Sequence, residues 1–215
     1  ISPKKRTPMA PLDRLQNPTL EGTHVRLEPL TLAHLPALEA IAFDPTIWRY
    51  MLANICTPED LRAWATAALA TPNTLPWVTI KKSHDTTPDQ LVGSTRFIDL
   101  DLTHRTTELG HTWLAAAARG TRVNTEAKLL QLTYAFETLN LNRVAFKTHH
   151  ENLQSQAAMK AIGCVYEGTF RNHYRMPDGT ARHSSWFSII REDWPTTKAH
   201  LTQRLSAQNI KRSNY

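Results

Sequence analysis

The sequence has almost no cysteine. Its two, Cys56 and Cys164, lie far apart and in no metal-ligand spacing. That argues against a disulfide scaffold or a zinc centre and points to a reducing compartment, the cytoplasm. No apolar run approaches the roughly 20 residues that a membrane span needs, so no membrane partner is expected. The first stretch, ISPKKRTPMAPLDRLQNP, is basic and proline-rich but has no apolar core, so it does not read as a secretory signal. Residues 1–19 are expected to form a mobile basic arm. There is no internal repeat, no low-complexity linker and no long Lys/Arg block. The net charge of +6 is therefore spread out, and nucleic acid is not expected as a partner. A multiply charged cofactor or an acidic partner suits the same surface. With 215 residues, 41% hydrophobic and 20% charged, the chain fits one sizeable domain, placed at 20–206. Residues 207–215 read as a frayed tail.

The elements follow from patterning. Val25 to Glu28 alternates as a strand closed by Pro29. Thr31 is placed to cap a helix to about Ala42, broken by Asp44-Pro45. Thr57-Pro58-Glu59-Asp60 combines a cap, a first-turn proline and first-turn acids, and starts a helix to about Ala70. Strands are expected at Trp77–Lys81, Gln90–Leu100 and Thr106–Leu114. A long helix from about Val123 to Leu139 carries a wide apolar arc, as on a helix packed against a sheet. Then come a strand at Asn142–His149, a helix capped by Asn152 and closed by Gly163, a strand at Cys164–Phe170, a Pro177-Asp178-Gly179 turn, a strand at His183–Arg191 and a last helix from Glu192. Strands on both sides of a central helix predict an α/β fold with a mixed sheet.

The stretch Trp113–Phe136, WLAAAARGTRVNTEAKLLQLTYAF, joins a strand, a short basic loop and a helix. Unpaired N–H groups and the helix dipole converge there, and Arg119 and Arg122 lie in the loop. Such a junction suits a polyanion, most simply a pyrophosphate.

Four segments then share a pattern in order and spacing: LEGTHVRLEPL, TELGHTWL, ARGTRVNTEAKLL, and NLQSQAAMKAIGCVYEGTFRNH followed by DGTARHSSWFSII. In these, from about Leu20 to Trp194, the chain resembles the GNAT superfamily of acetyl-CoA-dependent N-acetyltransferases. It is most similar to the branch of the bacterial ribosomal-protein N-terminal acetyltransferases RimJ and RimL. The resemblance implies the GNAT fold, a mixed and mostly antiparallel sheet flanked by helices. It implies acetyl-CoA as cosubstrate, a primary amine as acceptor, no metal, and a monomer or homodimer. The acceptor is a peptide or protein N-terminus in the first reading and a small amine in the second. A third reading is a non-catalytic module of the same fold that binds CoA or a protein.

The family's pyrophosphate motif, Gln/Arg-x-x-Gly-x-Gly/Ala, falls here on Arg119, with Arg122 and Asn124 at the glycine positions. Arg122 either needs a backbone conformation that glycine adopts more cheaply or places its guanidinium on a phosphate. The resemblance assigns Trp113, Leu114, Arg119, Gly120, Thr121, Arg122, Val123, Asn124 and Thr125 to the cofactor, together with Asn152. Backbone N–H groups near Trp113 and Leu114 would meet the oxyanion. Gly110 is a candidate for the strand bulge that opens the site, or simply a point of close packing. Glu108, on the strand entering the loop, is the candidate base for the amine; otherwise it is an exposed acid paired with Arg105 or Arg96. Ser155, in Asn-x-x-Ser, is the candidate proton donor to the leaving thiolate; otherwise it completes the cap that Asn152 begins. Tyr166 and Tyr174 are fallback acids. Trp48, Tyr50, Trp64 and Trp77 line an acceptor groove or pack in the core.

Overall fold

Eight strands form one sheet in the order β1-β2-β3-β4-β5-β6-β8-β7. They are β1 Leu20–Glu21, β2 Val25–Pro29, β3 Leu75–Lys81, β4 Gln90–Asp101, β5 Thr106–Leu114, β6 Arg143–His149, β7 Val165–Arg175 and β8 Ala181–Ile190. The computed structural model describes residues 17–210, with side chains to residue 207. Most of the expected N-terminal arm and part of the tail therefore lie outside the described residues. Within them, Asn17 Nδ2 and Pro18 O are already bonded to Pro76 O and Trp77 Nε1. The last helix runs on to Ile210, past the expected boundary at 206.

Every neighbouring strand pair is antiparallel except β5 and β6. That exception follows from connectivity. The helix α4, Arg122–Thr133, carries the chain from the end of β5 back to the start of β6, and such a crossover makes its two strands parallel. Helices α1 Leu35–Ala42, α2 Pro45–Trp48 and α3 Pro58–Ala70 join β2 to β3. The expected cap of α3 is present: Thr57 Oγ1 accepts from Asp60 N, and Asp60 Oδ2 accepts from Thr57 N. Helix α5, Leu153–Ala161, and helix α6, Trp194–Ile210, complete the chain.

The sheet is covered on both faces. Leu132 and Leu201 pack with Phe97 and Phe187 in one apolar cluster. Leu38, Leu61, Trp48, Trp64 and Trp113 form a second, around α1, α2 and α3. Trp77 belongs to the first cluster and its neighbour Val78 to the second, so β3 is buried on both sides. Trp48, Trp64 and Trp77 are thus core residues. Strand β3 begins before the expected Trp77, because Leu75 and Pro76 already belong to it. Pro76 is tolerated there because it lies at the end of the β2 side, where Leu30 N still donates to Pro76 O and only the last return bond is missing. The long helix also differs from expectation. Its last turn, Tyr134–Thr138, widens to a π-turn, with Leu139 N bonded to Tyr134 O. There Phe136 stacks on Trp194, and Glu137 accepts from Trp194 Nε1.

Candidate active site

Strands β5 and β6 pair at only three positions: Thr106 with Arg143, Thr107 with Val144 and Glu108 with Ala145. Beyond Glu108 they part. A cavity of about 620 Å³ opens between Gly110–Leu114 on one side and Phe146–Thr148 on the other. Helix α5 contributes Ser155 to its wall, and the loop before α4 contributes Arg119 and Gly120.

A bulge sets the shape of this opening. Ser94 faces Trp113 and Arg96 faces Gly110, so His111 and Thr112 together oppose Thr95. His111 takes a left-handed backbone, φ 46°. The bulge therefore sits one residue after Gly110, and strict alternation fails at His111. Alternation alone puts His111 on the face opposite Glu108. In the structure both feel the charges of Lys147 and Arg182. Burial, helped by Arg96, Lys147 and Arg182, holds His111 down at about 3, so it is neutral at ordinary pH. Gly110 has its own task. A Cβ there would lie 2.9 Å from Glu108 Oε1 and 3.1 Å from Ile98 Cδ1. Only a hydrogen leaves that carboxylate in place.

Glu108 is 6% exposed and stands where the strands divide. Its partner is neither Arg105 nor Arg96 but Lys147, whose Nζ donates to Oε2 at 2.7 Å. Lys147 also donates to the Tyr174 hydroxyl at 3.2 Å and lines the cavity. Burial raises the Glu108 pKa, and Lys147 offsets part of that rise. The carboxylate thus lies one layer behind the cavity wall, in contact with it through Lys147. Tyr166 is half-exposed, with its hydroxyl bonded to Thr169, away from this cluster.

The loop before α4 is organised differently from the sequence expectation. Thr121 caps the helix, accepting from Val123 N at 3.3 Å and donating to Ala118 O. Gly120 carries the positive φ, 70°, and faces open space. Arg122 and Asn124 are ordinary helical residues, so neither needs a glycine backbone. The Arg122 guanidinium lies against His24 Nε2 at 2.8 Å rather than in the cavity. Arg119 is also committed. It donates to Leu114 O, to Thr46 Oγ1 and to Asp44 Oδ2, clasping the loop to α2. Val123 is core and Thr125 is buried. Trp113, Leu114, Arg119, Gly120, Asn124, Asn152 and Ser155 line the cavity; the side chains of Thr121, Arg122, Val123 and Thr125 do not. Asn152 Oδ1 accepts from Ser155 N at 3.0 Å, so the cap exists while both residues still face the cavity.

Three cations were not singled out from sequence. Lys147 shares its strand parity with Ala145, the residue opposite Glu108, so the β5–β6 pairing would have revealed it. Arg182 is 6% exposed, donates to Tyr50 O and Ser184 Oγ, and lines the cavity beside Tyr50. Lys128 is buried on α4 and donates to Thr95, Thr112 and Gln131. No sequence signal marks the last two. Among the described residues no group of His, Cys, Asp or Glu suits a metal, and no helix is long and apolar enough to cross a membrane.

A family model described as "Acetyltransferase (GNAT) domain" matches residues 24–165. The Bacillus subtilis protein named "Putative ribosomal N-acetyltransferase YdaF" is 32% identical over 108 residues, 50% of this chain and 58% of that protein. The chain thus spans less than two thirds of that relative. A crystal structure of a "putative acetyltransferase" from T. thermophilus superposes with TM-score 0.79 at 39% identity, covering 87% of this chain and 96% of the other. Mycobacterium smegmatis RimJ, solved with CoA-disulfide, shares the fold at TM-score 0.70 and 20% identity, over 84% of this chain and 88% of the other.

Proposed function

Because the chain belongs to the GNAT acetyltransferase family, we propose that it moves an acetyl group from acetyl-CoA to a primary amine, the N-terminal amine of a peptide or protein. The observation that carries this reading is the parting of β5 and β6 directly after Glu108. Beyond that point the β5 edge facing the cavity is released from β6. An extended, amide-containing arm such as pantetheine can pair with such an edge as an added strand would. The start of α4 supplies the other end of the fit. Gly120 leaves open space over the backbone, and the first N–H groups of a helix point outward toward an anion. In this reading the backbone from Gly120 to Thr125 holds the pyrophosphate, with Asn124 and Asn152 at the cavity wall. Arg119 and Arg122 act by holding the loop in place.

Acetyl-CoA supplies the activated acyl group. The chain's residues move protons and orient the reactants. Glu108 takes the amine proton through the water or hydrogen-bond layer in front of it, and its buried site makes it a stronger base than a surface carboxylate. The Ser155 hydroxyl, on the cavity wall, donates toward the leaving sulfur. The Leu114 N–H faces the carbonyl oxygen as it gains charge; it points away from β4, because Ala115 N bonds Val92 O and Trp113 pairs with Ser94.

The name of the B. subtilis relative supports a protein N-terminus as acceptor. Two free cysteines, one exposed and one buried, fit the reducing cytoplasm we assign to it. The test is release of CoA thiol from acetyl-CoA with short peptides in one arm and small amines, including spermidine, in the other. Faster turnover with peptides is expected; turnover confined to small amines would reassign the acceptor. Ser155→Ala should lower turnover more than acetyl-CoA affinity, and an unchanged rate would remove Ser155 from the mechanism.

A further inference from the structure

The acceptor end of the cavity holds too much positive charge for a site that receives only an amine. Three cations meet behind α2 and α3: Arg96 and Arg182, both buried, and the partly buried Lys147. Glu108 is the one buried acid beside them, and it is taken by Lys147 at 2.7 Å. The next carboxylate in reach, Asp99, is exposed. Arg182 makes no ion pair among the described residues; its bonds go to a hydroxyl and a peptide oxygen. Arg96 stacks on Trp64 at 4.8 Å, and its Nε and Nη2 are buried without a hydrogen-bond partner. Buried cations without counter-charge are costly and persist where something supplies the missing anion. The phosphates of acetyl-CoA do not answer this need. They belong at the start of α4, whereas Arg182 sits across the cavity on Tyr50 O and within the field of Glu108. Burial, then Lys147 and Arg182, lower the pKa of His173; burial, then Arg96, Lys147 and Arg182, hold His111 at about 3, so His111 adds no positive charge at neutral pH.

We propose that the acceptor is a primary amine that also carries a carboxylate, and that Arg182 binds this carboxylate beside Tyr50 while the amine reaches toward Glu108. This rests on the amine-acetylation reading above and narrows it. The amine nitrogen forms a bond to the acetyl carbon, the carbon–sulfur bond breaks, and the amine proton is delivered in net terms to the CoA sulfur. The guanidinium fork matches a carboxylate geometrically and repels a polycation. The chemistry is shared by two sources: a free amino acid, and a peptide with an acidic residue at or next to its N-terminus.

The experiment compares matched acceptors with the intact chain. One arm sets free glutamate against glutamine amide; a second sets peptides starting with Asp or Glu against the same peptides with Asn or Gln; a third is spermidine. A preference of about tenfold or more in kcat/KM for the carboxylate member is expected, the scale of one hydrogen bond between charged groups. The arm showing it identifies the source. Arg182→Gln should collapse that ratio toward one, and Arg182→Lys should restore part of it. Equal use of both members, efficient use of spermidine, or a ratio untouched in Arg182→Gln would overturn the proposal while leaving acetyl transfer standing. A second readout does not need turnover. Calorimetry on the CoA-loaded chain should show an N-acetylated acidic peptide binding about tenfold more tightly than its amide twin, with the difference lost in Arg182→Gln. That result without any acetyl transfer would sink the enzyme reading and keep the carboxylate site. No difference between the twins would sink the site.

Discussion

Replacing Lys128 with methionine should change how stability depends on pH, not only its size. The ammonium group is buried and donates to three neutral oxygens: Thr95 Oγ1 at 3.1 Å, Thr112 Oγ1 at 2.8 Å and Gln131 Oε1 at 3.1 Å. No carboxylate pairs with it among the described residues. Burial pulls its pKa from 10.5 to about 7, and Cys164 acts weakly the other way. The sign follows from linkage. A lysine with a lowered folded pKa costs least above its unfolded value and costs progressively more as pH falls toward the folded one. Between about pH 9 and about pH 6 that arithmetic takes about 2.5 kcal/mol of stability from the wild type, and none from a methionine variant. The variant also removes the three bonds that Lys128 donates, but Thr95 Oγ1 stays bonded to Thr112 Oγ1 and to Gln131 Oε1, so the pH-independent loss is about 1 to 2 kcal/mol in all. Denaturant unfolding of both proteins at several pH values separates the two effects. The gap between wild type and Lys128→Met should shift in the variant's favour by about 2 to 3 kcal/mol on going from about pH 9 to about pH 6. Parallel curves would refute the claim that burial dominates at Lys128 and would show that the three oxygens keep it fully charged.

Further outcomes follow from the same cluster. Glu108→Gln should lower the transfer rate most between the acid limb that Glu108 itself sets and the amine pKa, where the carboxylate is charged and the amine is not yet neutral, and least on either side; a loss equal at every pH would argue against Glu108 as the base. Lys147→Met removes the charge that offsets burial at Glu108. The Glu108 pKa should therefore rise, and the acid limb of the rate profile should move to higher pH; an unmoved limb would show that Lys147 does not set the carboxylate. Gly110→Ala places a methyl group 2.9 Å from Glu108 Oε1. It should cost about 1 to 3 kcal/mol in thermal unfolding and reduce turnover more than acetyl-CoA binding; wild-type stability and rate would mean the carboxylate moves aside freely.

The elements were legible where one local pattern decides. The Thr57–Asp60 cap and the Pro177–Gly179 turn are of this kind: Asp178 Oδ1 accepts from Thr180 N at 2.9 Å, and Gly179 takes φ 87°. What could not be read depends on which strands are neighbours. The bulge at His111 and Thr112 exists only as a mismatch with Thr95. The Glu108–Lys147 pair joins residues from two strands that the sequence separates by a helix. The glycine positions of the pyrophosphate motif misled for a related reason. The positive φ falls on Gly120, ahead of the helix, so Arg122 and Asn124 sit in ordinary helical backbone. A loop's charge is visible in sequence, whereas the side-chain contacts of Arg119 with Asp44 and of Arg122 with His24 are not, because those residues lie far away along the chain.

Transfer of acetyl from CoA to an amine in the cleft that opens after Glu108 can be followed by its stoichiometry: CoA thiol released, counted against acetyl groups found on the acceptor by mass spectrometry, with the intact chain and a mixed panel of amines. One thiol is expected for each acetylated amine, with both signals falling together in Ser155→Ala. Firm binding of acetyl-CoA with no thiol released for any amine would contradict acetyl transfer and leave a CoA-binding module.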